Sequence, residues 1–228
     1  MNLPGPDTLI GLLAAWLLIA AASLWAWREG LGLSRRMLIA SLRGLVQLLV
    51  LASVLHLIFD IRHVAAQGTI IAMLCIIAAR VSAGHHADTR RAWIAAAAGL
   101  VASCVVTLPW LVFSGAISGE TRALIPLGSM VAANGMNAVS LMFNRMQADS
   151  GLASGIEASL IPSVDTLRVV GLVHMPGIFV GMLLAGSPPL AAASAQLVVL
   201  YMIVASCFTA CIVSWYMLTR LQDRETCA

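Results

Sequence analysis

The chain has 228 residues, of which 61% are hydrophobic and 10% are charged, and its formal net charge at pH 7 is +3. A soluble domain is on average about 45–50% apolar and about 25% charged, so the composition excludes a single water-facing domain, and it equally excludes a disordered chain. The basic residues are all Arg and are scattered along the chain, which gives no indication of nucleic-acid binding. The sequence therefore predicts an all-α integral membrane protein.

Seven apolar segments follow one another, and most are long enough to cross a hydrocarbon core of about 30 Å as a helix. They cover residues 8–27, 37–59, 64–79, 92–113, 123–144, 169–186 and 190–219. No soluble domain separates them, so we predict one transmembrane domain over residues 1–228.

The distribution of Arg predicts the orientation of these segments, because cytoplasmic loops carry an excess of basic residues. With the N-terminus outside, the outer segments contain only Arg62 and Arg122. The inner segments then contain Arg28, Arg35, Arg36, Arg80, Arg90, Arg91, Arg145, Arg220 and Arg224. We therefore expect an outer N-terminus, a cytoplasmic C-terminus and a multi-pass location in the inner (plasma) membrane.

The fifth segment is unusually polar for a membrane helix. At about 100° per residue, Met130, Asn134 and Asn137 share one face. Gly128 and Gly135 lie on the opposite face, where small residues let a second helix approach closely. Intramembrane polar groups are costly and often functional. We expect the amides either to line a substrate pathway or to hydrogen-bond between helices.

The sixth segment reads VVGLVHMPGIFVGMLLAG. Pro176 removes a backbone donor and is expected to kink the helix directly after His174 and Met175. Gly177 and Gly181 form a GxxxG pair, which is typical of packed membrane helices. We interpret the segment as a place for a gate or a metal contact beside the pathway, with His174 as a candidate metal or proton site and ordinary packing as the alternative.

The second segment carries two groups of polar side chains. Arg43 and Gln47 share a helix face, which predicts either snorkelling of Arg43 to the headgroups or a buried hydrogen-bond network at a subunit interface. His56, Asp60 and His63 are spaced i, i+4, i+7. If the helix continues that far, they form a set of ligands for a divalent transition metal; interfacial side chains facing water are the alternative.

Four cysteines lie in or beside apolar segments: Cys75, Cys104, Cys207 and Cys211. This placement predicts buried thiols rather than a disulfide framework. The last two are one helical turn apart, and we expect packing thiols there, with a soft-metal site as the alternative.

The chain has no GxxxxGK[ST], HExxH or GxSxG motif, and its acidic residues lie almost entirely in loops. We therefore expect neither enzyme activity nor a cofactor bound by this chain. If transport here consumes ATP, another chain must bind the nucleotide and its magnesium ion.

Two long stretches resemble signatures of the FetB/YbbM family. IPLGSMVAANGMNAVSL, from Ile125, is similar to IPLGGMIxGNxMNAxxL, and GLVHMPGIFVGMLLAGSPPLAAASAQLVVLY, from Gly171, is similar to GxVxLPGMMTGQILAGxxPxxAxxYQIVVxF. Arg43, Gly44 and Gln47 fit an early R-x-x-x-Q helix. The chain departs from the family pattern at Ser129, Ala133, Phe179, Val180, Met182 and Ala195.

The resemblance implies a membrane permease subunit of an ABC transporter, working as a homodimer with a separate ATP-binding subunit. Bacterial members are linked to iron export and plant relatives to aluminium tolerance, which implies a metal ion as substrate. For a permease of this kind, our candidates for lining the path are Met130, Asn134, Asn137, His174 and Met175.

One difference from the family concerns length. Family members have roughly two dozen more residues between the equivalents of Glu157 and Ile161, and that segment is the natural candidate for the helix that docks into the ATPase. The second hypothesis is therefore a coupling-deficient membrane interaction or assembly protein of the same fold, which does not itself transport.

Overall fold

The computed structural model describes residues 6–60, 63–148 and 152–226. Over these residues the chain forms eight α-helices and no strand. The helices are α1 (Pro6–Arg28), α2 (Ser34–Phe59), α3 (Val64–Ala83), α4 (Thr89–Phe113), α5 (Thr121–Ala148), α6 (Leu152–Val169), α7 (Gly177–Leu184) and α8 (Pro189–Thr226).

Six of these helices, α1 to α5 and α8, are long and apolar enough to cross a membrane. The predicted all-α membrane protein is thus confirmed. The sixth predicted segment, 169–186, is wrong as a continuous helix, because α6 ends at Val169 and residues 170–176 are not helical. Gly171 has a φ of +80° there, and Pro176 has no N–H to continue a helix.

Contacts divide the chain into two compact units, Met1–Asp60 and Ile61–Ala228. The first unit is the α1–α2 hairpin. Gly30, with a φ of +70°, ends α1, and the Leu31 N–H donates to the carbonyl oxygen of Ala26 over 2.9 Å. A glycine in this left-handed conformation is a common helix terminator. Most apolar side chains of both helices are exposed, as suits helices in lipid.

The second unit is built around α4, which packs against α3, α5 and α8. Small residues recur at every fourth position on the two helices that approach most closely. They are Ala95, Gly99 and Ser103 on α4 and Ser206, Ala210 and Ser214 on α8, and all six are buried. Without a hydrophobic driving force between helices in lipid, such close backbone packing is a main source of stability.

A few polar contacts join the helices of this unit. The Ser82 hydroxyl on α3 donates to the carbonyl oxygen of Met136 on α5 over 3.0 Å. Cys75 on α3 and Cys104 on α4 are buried free thiols whose Sγ atoms lie 3.5 Å apart. Cys207 and Cys211 on α8 are also buried and free, as the apolar context predicts.

Candidate functional site

Helices α5, α6 and α8 enclose a cleft of about 350 Å³. Its polar lining consists of two side chains from α5 and three from α6: Asn134, Asn137, Ser159, Ser163 and Thr166. Helix α8 contributes an apolar wall through Leu200 and Ile203. The cleft therefore gathers five neutral polar side chains, two of them on the helix whose sequence is unusually polar for a membrane helix.

The spacing of residues on α6 explains why its hydroxyls meet. Ser159, Ser163 and Thr166 occupy positions i, i+4 and i+7, which form one face of a helix. That face turns toward α8, since Ser159 Oγ lies 3.3 Å from the Sγ of Cys211 and Ser163 donates to the Sγ of Cys207 over 3.8 Å. Increasing numbers on α6 thus pair with decreasing numbers on α8, so the two helices are antiparallel.

The hydroxyl protons of the cleft are already used within the protein. Ser159 donates to the carbonyl oxygen of Ile156 over 2.7 Å, and Thr166 donates to that of Pro162 over 2.8 Å. Ser163 donates to a thiol, as described above. A hydroxyl whose single proton is committed can offer a ligand only its lone pairs. The three hydroxyl oxygens are therefore acceptors toward the cleft.

The two amides complete the same pattern. Asn134 Nδ2 donates to the carbonyl oxygen of Met130 over 2.9 Å, and within the described residues its Oδ1 has no hydrogen-bond partner. Asn137 is exposed and makes no hydrogen bond to another described residue. Neither a carboxylate nor a basic side chain is among the described residues that line the cleft. Neutral oxygen donors of this kind suit a cation in passage, because binding must stay weak enough for release.

The structure does not bring all the predicted path residues together. Met130 packs against the hydrophobic core and is related to the cleft only through its backbone carbonyl. His174 and Met175 line a second cavity of about 330 Å³, together with Gln196 of α8. Gln196 is buried, and its Oε1 accepts the Phe179 N–H at the start of α7 over 3.3 Å.

The predicted packing and gate residues fall into two groups. A Cβ at Gly128 would lie 2.9 Å from the Ile71 side chain, and one at Gly135 would lie 2.7 Å from the Leu100 side chain, so both glycines sit at close helix contacts. Gly177 and Gly181 have open space at the Cβ position. Pro176 is buried and directly precedes α7. A gate at this segment remains a prediction.

The polar residues predicted on α2 are not assembled within the described chain. Arg43 and Gln47 are exposed, so a buried network involving them requires a subunit interface and stays a prediction.

The proposed metal ligands at the end of α2 lack the continuous helix they depend on. Helix α2 ends at Phe59, Asp60 lies in a turn and His63 directly precedes α3, while the side chain of His56 lies outside the described residues. Within the described part of the chain, no group of three or more His, Cys, Asp or Glu side chains could hold a metal ion.

Sequence reasoning missed Ser159, Ser163 and Thr166, which lie in a segment predicted to be a cytoplasmic loop. Their i, i+4, i+7 recurrence was the available signal, but three charged residues in the same stretch conceal the helix. The hydrogen bond that Gln196 Oε1 accepts from the Phe179 N–H could not be predicted from the sequence, because Phe179 belongs to another helix.

The family comparison gives this cleft its context. The model of the "Uncharacterised protein family (UPF0014)" matches residues 9–152 and 148–221. The chain belongs to this family. The resemblance to FetB/YbbM proteins is confirmed, since one relative of this UPF0014 chain is the "Probable iron export permease protein FetB" of Escherichia coli (strain K12). Its six apolar helices and its family make the chain a multi-pass membrane protein.

Three relatives illustrate the range of the family. FetB is 28% identical over 232 residues, covering 92% of this chain and 90% of the relative. The "UPF0014 membrane protein YjkA" of Bacillus subtilis (strain 168) is 28% identical, with 80% and 82% covered. "Protein ALUMINUM SENSITIVE 3" of Arabidopsis thaliana is 26% identical, with 90% and 83% covered. No solved structure matches the chain.

The alignments also show that this chain is shorter than its relatives within the matched region. The alignment with FetB runs over 232 residues, whereas 92% of the 228 residues of this chain is about 210, so this chain lacks about 22 of the aligned positions. The two matched segments of the family meet at residues 148–152, between α5 and α6 and a few residues before the predicted junction at Glu157.

Proposed function

We propose that this UPF0014 chain is the membrane permease subunit of an ABC-type transporter that exports a metal ion, with iron as the first candidate. The polar cleft between α5, α6 and α8 carries the proposal. Five neutral oxygen-bearing side chains line it between three helices of a membrane protein, where polar groups are expensive and often functional. The name of the FetB relative, a probable iron export permease, supports the metal and the direction.

The energy source and the assembly are part of the same proposal. The sequence contains no nucleotide-binding loop, so a separate ATP-binding subunit with its bound magnesium supplies the hydrolysis. Two copies of this chain, in the inner membrane, enclose the path, and closure of the ATPase pair tilts their helices. Outer and inner access to the cleft then alternate.

The test is metal export from cells that express the chain with its partner ATPase. The Asn134→Ala/Asn137→Ala variant removes both amides of the cleft and is expected to retain metal that the wild type exports. Asn144→Ala is the matched control, because Asn144 is exposed near the end of the same helix and outside the cleft. Equal export by the double variant and the wild type, at equal membrane levels, would refute a path through the cleft.

A second function is favoured by one specific observation, namely that this chain lacks about 22 of the positions over which FetB is aligned with it. If those residues form the element that docks into the ATPase, this chain is a coupling-deficient assembly protein that binds its partners without transporting. Mild purification from the native membrane distinguishes the two functions. A stoichiometric ATPase whose turnover rises on reconstitution with this chain supports the permease; a bound ATPase with unchanged turnover supports the assembly protein.

A further inference from the structure

Helix α6 carries a second row of side chains, on the face that points away from the cleft. This row, the outer stripe of α6, consists of Glu157, Ile161, Asp165 and Arg168. Their spacing of i, i+4, i+8 and i+11 gathers them on one helix face, about 180° from the hydroxyls of the cleft. All four are exposed in the single chain. The outer stripe is therefore a surface of α6 that the rest of the described chain leaves uncovered.

The two charges at the upper end of the stripe lie beside the middle of a membrane-crossing helix. Helix α8 has no charged residue over positions 190–219, which belong to a candidate membrane span. Ser163 contacts Cys207, and α6 runs antiparallel to α8. At about 1.5 Å per residue, Asp165 and Arg168 therefore lie level with about residues 205 and 202 of α8. Both charges are thus within about 4 Å of the midpoint of the uncharged run.

The two charged groups form an ion pair that leaves part of each group unused. Arg168 Nη1 donates to Asp165 Oδ1 over 3.1 Å, and the two side chains are 74% and 54% exposed. Among the described residues, neither side chain has another hydrogen bond or ion pair. The guanidinium has further N–H donors and the carboxylate has a second oxygen. Charged groups at this depth avoid lipid and face either protein or a water-filled cavity.

We propose that the outer stripe of α6 is the contact surface between two copies of the chain, in which Asp165 of each copy binds Arg168 of the other. The proposal rests on the homodimer of the proposed function and locates its interface. A two-fold axis along the membrane normal places the two α6 helices side by side and parallel, with the same stripe on both sides. Asp165 and Arg168 are about 4.5 Å apart along the helix axis. Each carboxylate then lies within reach of the second copy's guanidinium as well as its own.

The charges of the stripe favour a second copy as its occupant. A second copy brings both signs to the same level, so the carboxylates and guanidiniums of the two chains alternate and their charges cancel. A neighbour with charges of one sign would leave either Asp165 or Arg168 uncompensated, which is expensive inside a membrane. Ile161, which is 56% exposed one turn away on the same face, supplies the apolar contact that the centre of an interface needs.

The proposed contact also fixes where the cleft lies in the dimer. Because the cleft hydroxyls and the outer stripe occupy opposite faces of α6, each copy keeps a cleft of its own. That cleft is separated from the second copy by the thickness of one helix.

The test coexpresses full-length chains with two different affinity tags and captures them through one tag in mild detergent. Asp165→Arg leaves only positive charges at this level of the stripe, and Arg168→Asp leaves only negative ones. Each variant paired with itself should capture at least about tenfold less of the second tag than the wild type, because like charges across an interface repel strongly. Coexpressed with each other, the two variants should recover capture. In this mixed pair neither chain regains its own ion pair, so recovery reports the contact between copies.

The matched controls reverse the same two kinds of charge away from α6. They are Glu120→Arg and Arg122→Asp, because both side chains are exposed around the start of α5. Each control variant paired with itself should capture as much of the second tag as the wild type, at equal membrane levels.

Cross-linking tests the same interface without a change of charge, in case a charge-reversed chain does not reach the membrane. Ile161→Cys places a thiol on the stripe, and oxidation with copper phenanthroline should join two copies through it. Val105→Cys is the matched control, because Val105 is 64% exposed on α4 and lies outside the stripe. Cys227 lies outside the described residues and is replaced by Ser in both variants. Only the Ile161→Cys chain should form a covalent dimer.

Two results would overturn the proposal. One is equal capture by the single variants and the mixed pair, as expected if the ion pair faces a water-filled cavity within one copy. The other is the absence of a covalent dimer from the Ile161→Cys chain. Neither measurement uses transport, so a mixed pair that forms but exports no metal supports the interface while the export function fails. Normal export by a wild type that gives neither signal would overturn the interface alone.

Discussion

The contact between α4 and α8 at Gly99 leads to the sharpest stability prediction. A Cβ at Gly99 would lie 2.5 Å from the carbonyl oxygen of Ala210 and 3.0 Å from the backbone nitrogen of Ser214, and it would also overlap the Ser214 hydroxyl. Two of these atoms belong to the helix backbone and cannot move aside by a side-chain rotation. In Gly99→Ala the helices must therefore separate along this interface of small residues.

The magnitude follows from two opposing effects. Forcing a methyl group into a packed interface costs about 1–3 kcal/mol, and the contact with a backbone carbonyl places this site at the upper end. Ala is better than Gly within a helix by about 1 kcal/mol. We expect a net destabilisation of about 1–2 kcal/mol, which is roughly a 5- to 30-fold fall in the ratio of folded to unfolded protein.

The assay is unfolding in mixed micelles with a rising fraction of SDS, followed by tryptophan fluorescence. Gly68→Ala is the matched control, because a Cβ there meets nothing within 4 Å, and it is expected to be neutral or slightly stabilising. Since the Ser214 Oγ is buried and has no hydrogen-bond partner among the described residues, Ser214→Ala should partly rescue Gly99→Ala. Identical unfolding midpoints for Gly99→Ala and Gly68→Ala would show that α4 and α8 do not approach this closely.

Three further outcomes are expected in the same unit. Thr121→Val removes the acceptor of the buried Gln67 Nε2, 2.6 Å away, and should destabilise the chain by about 1 kcal/mol. Gln67→Leu should destabilise it less, because Gln67 Oε1 is already buried and has no partner among the described residues. The SDS unfolding midpoints of the two variants test this order. Copper phenanthroline should join Cys75 to Cys104, whose Sγ atoms are 3.5 Å apart, giving a linked peptide pair in mass spectrometry that Cys104→Ser abolishes. Gly128→Ala should shift the midpoint less than Gly99→Ala, because only side-chain atoms of Ile71, and no backbone atom, oppose the new methyl group.

The long helices can be predicted from the sequence, because a helix that crosses lipid needs apolar side chains along its whole length. A long apolar run with at most one charge has few other solutions, and α1 to α5 and α8 occupy such runs, with Arg43 in α2 as the one charge inside them. Helix α6 escapes the same reasoning, because Glu157, Asp165 and Arg168 raise its polarity and Pro162 lies in its interior. Its helical state depends on packing against α5 and α8, which a hydropathy pattern does not contain.

The candidate site could likewise be predicted only in part from the sequence. Asn134 and Asn137 stand out because amides are rare in apolar runs, and their common helix face is readable from their spacing. The hydroxyls opposite them are ordinary residues in an apparently polar loop. The break at 170–176 depends on a Gly with positive φ and on a Gln from another helix, so only the folded chain brings its parts together.

The short connection between α5 and α6 limits how the cleft opens. Three residues separate Ala148 from Leu152, and at 3.8 Å per step the chain allows at most about 15 Å between their Cα atoms. The two polar walls of the cleft are thus held close together at one end. If they move apart, the distance between them increases most near Thr166 and least near Ser159. About two dozen further residues inserted at this connection would give a looser tether and leave the two walls free to slide past each other. A shorter connection therefore changes the geometry of opening even where every residue of the cleft is retained.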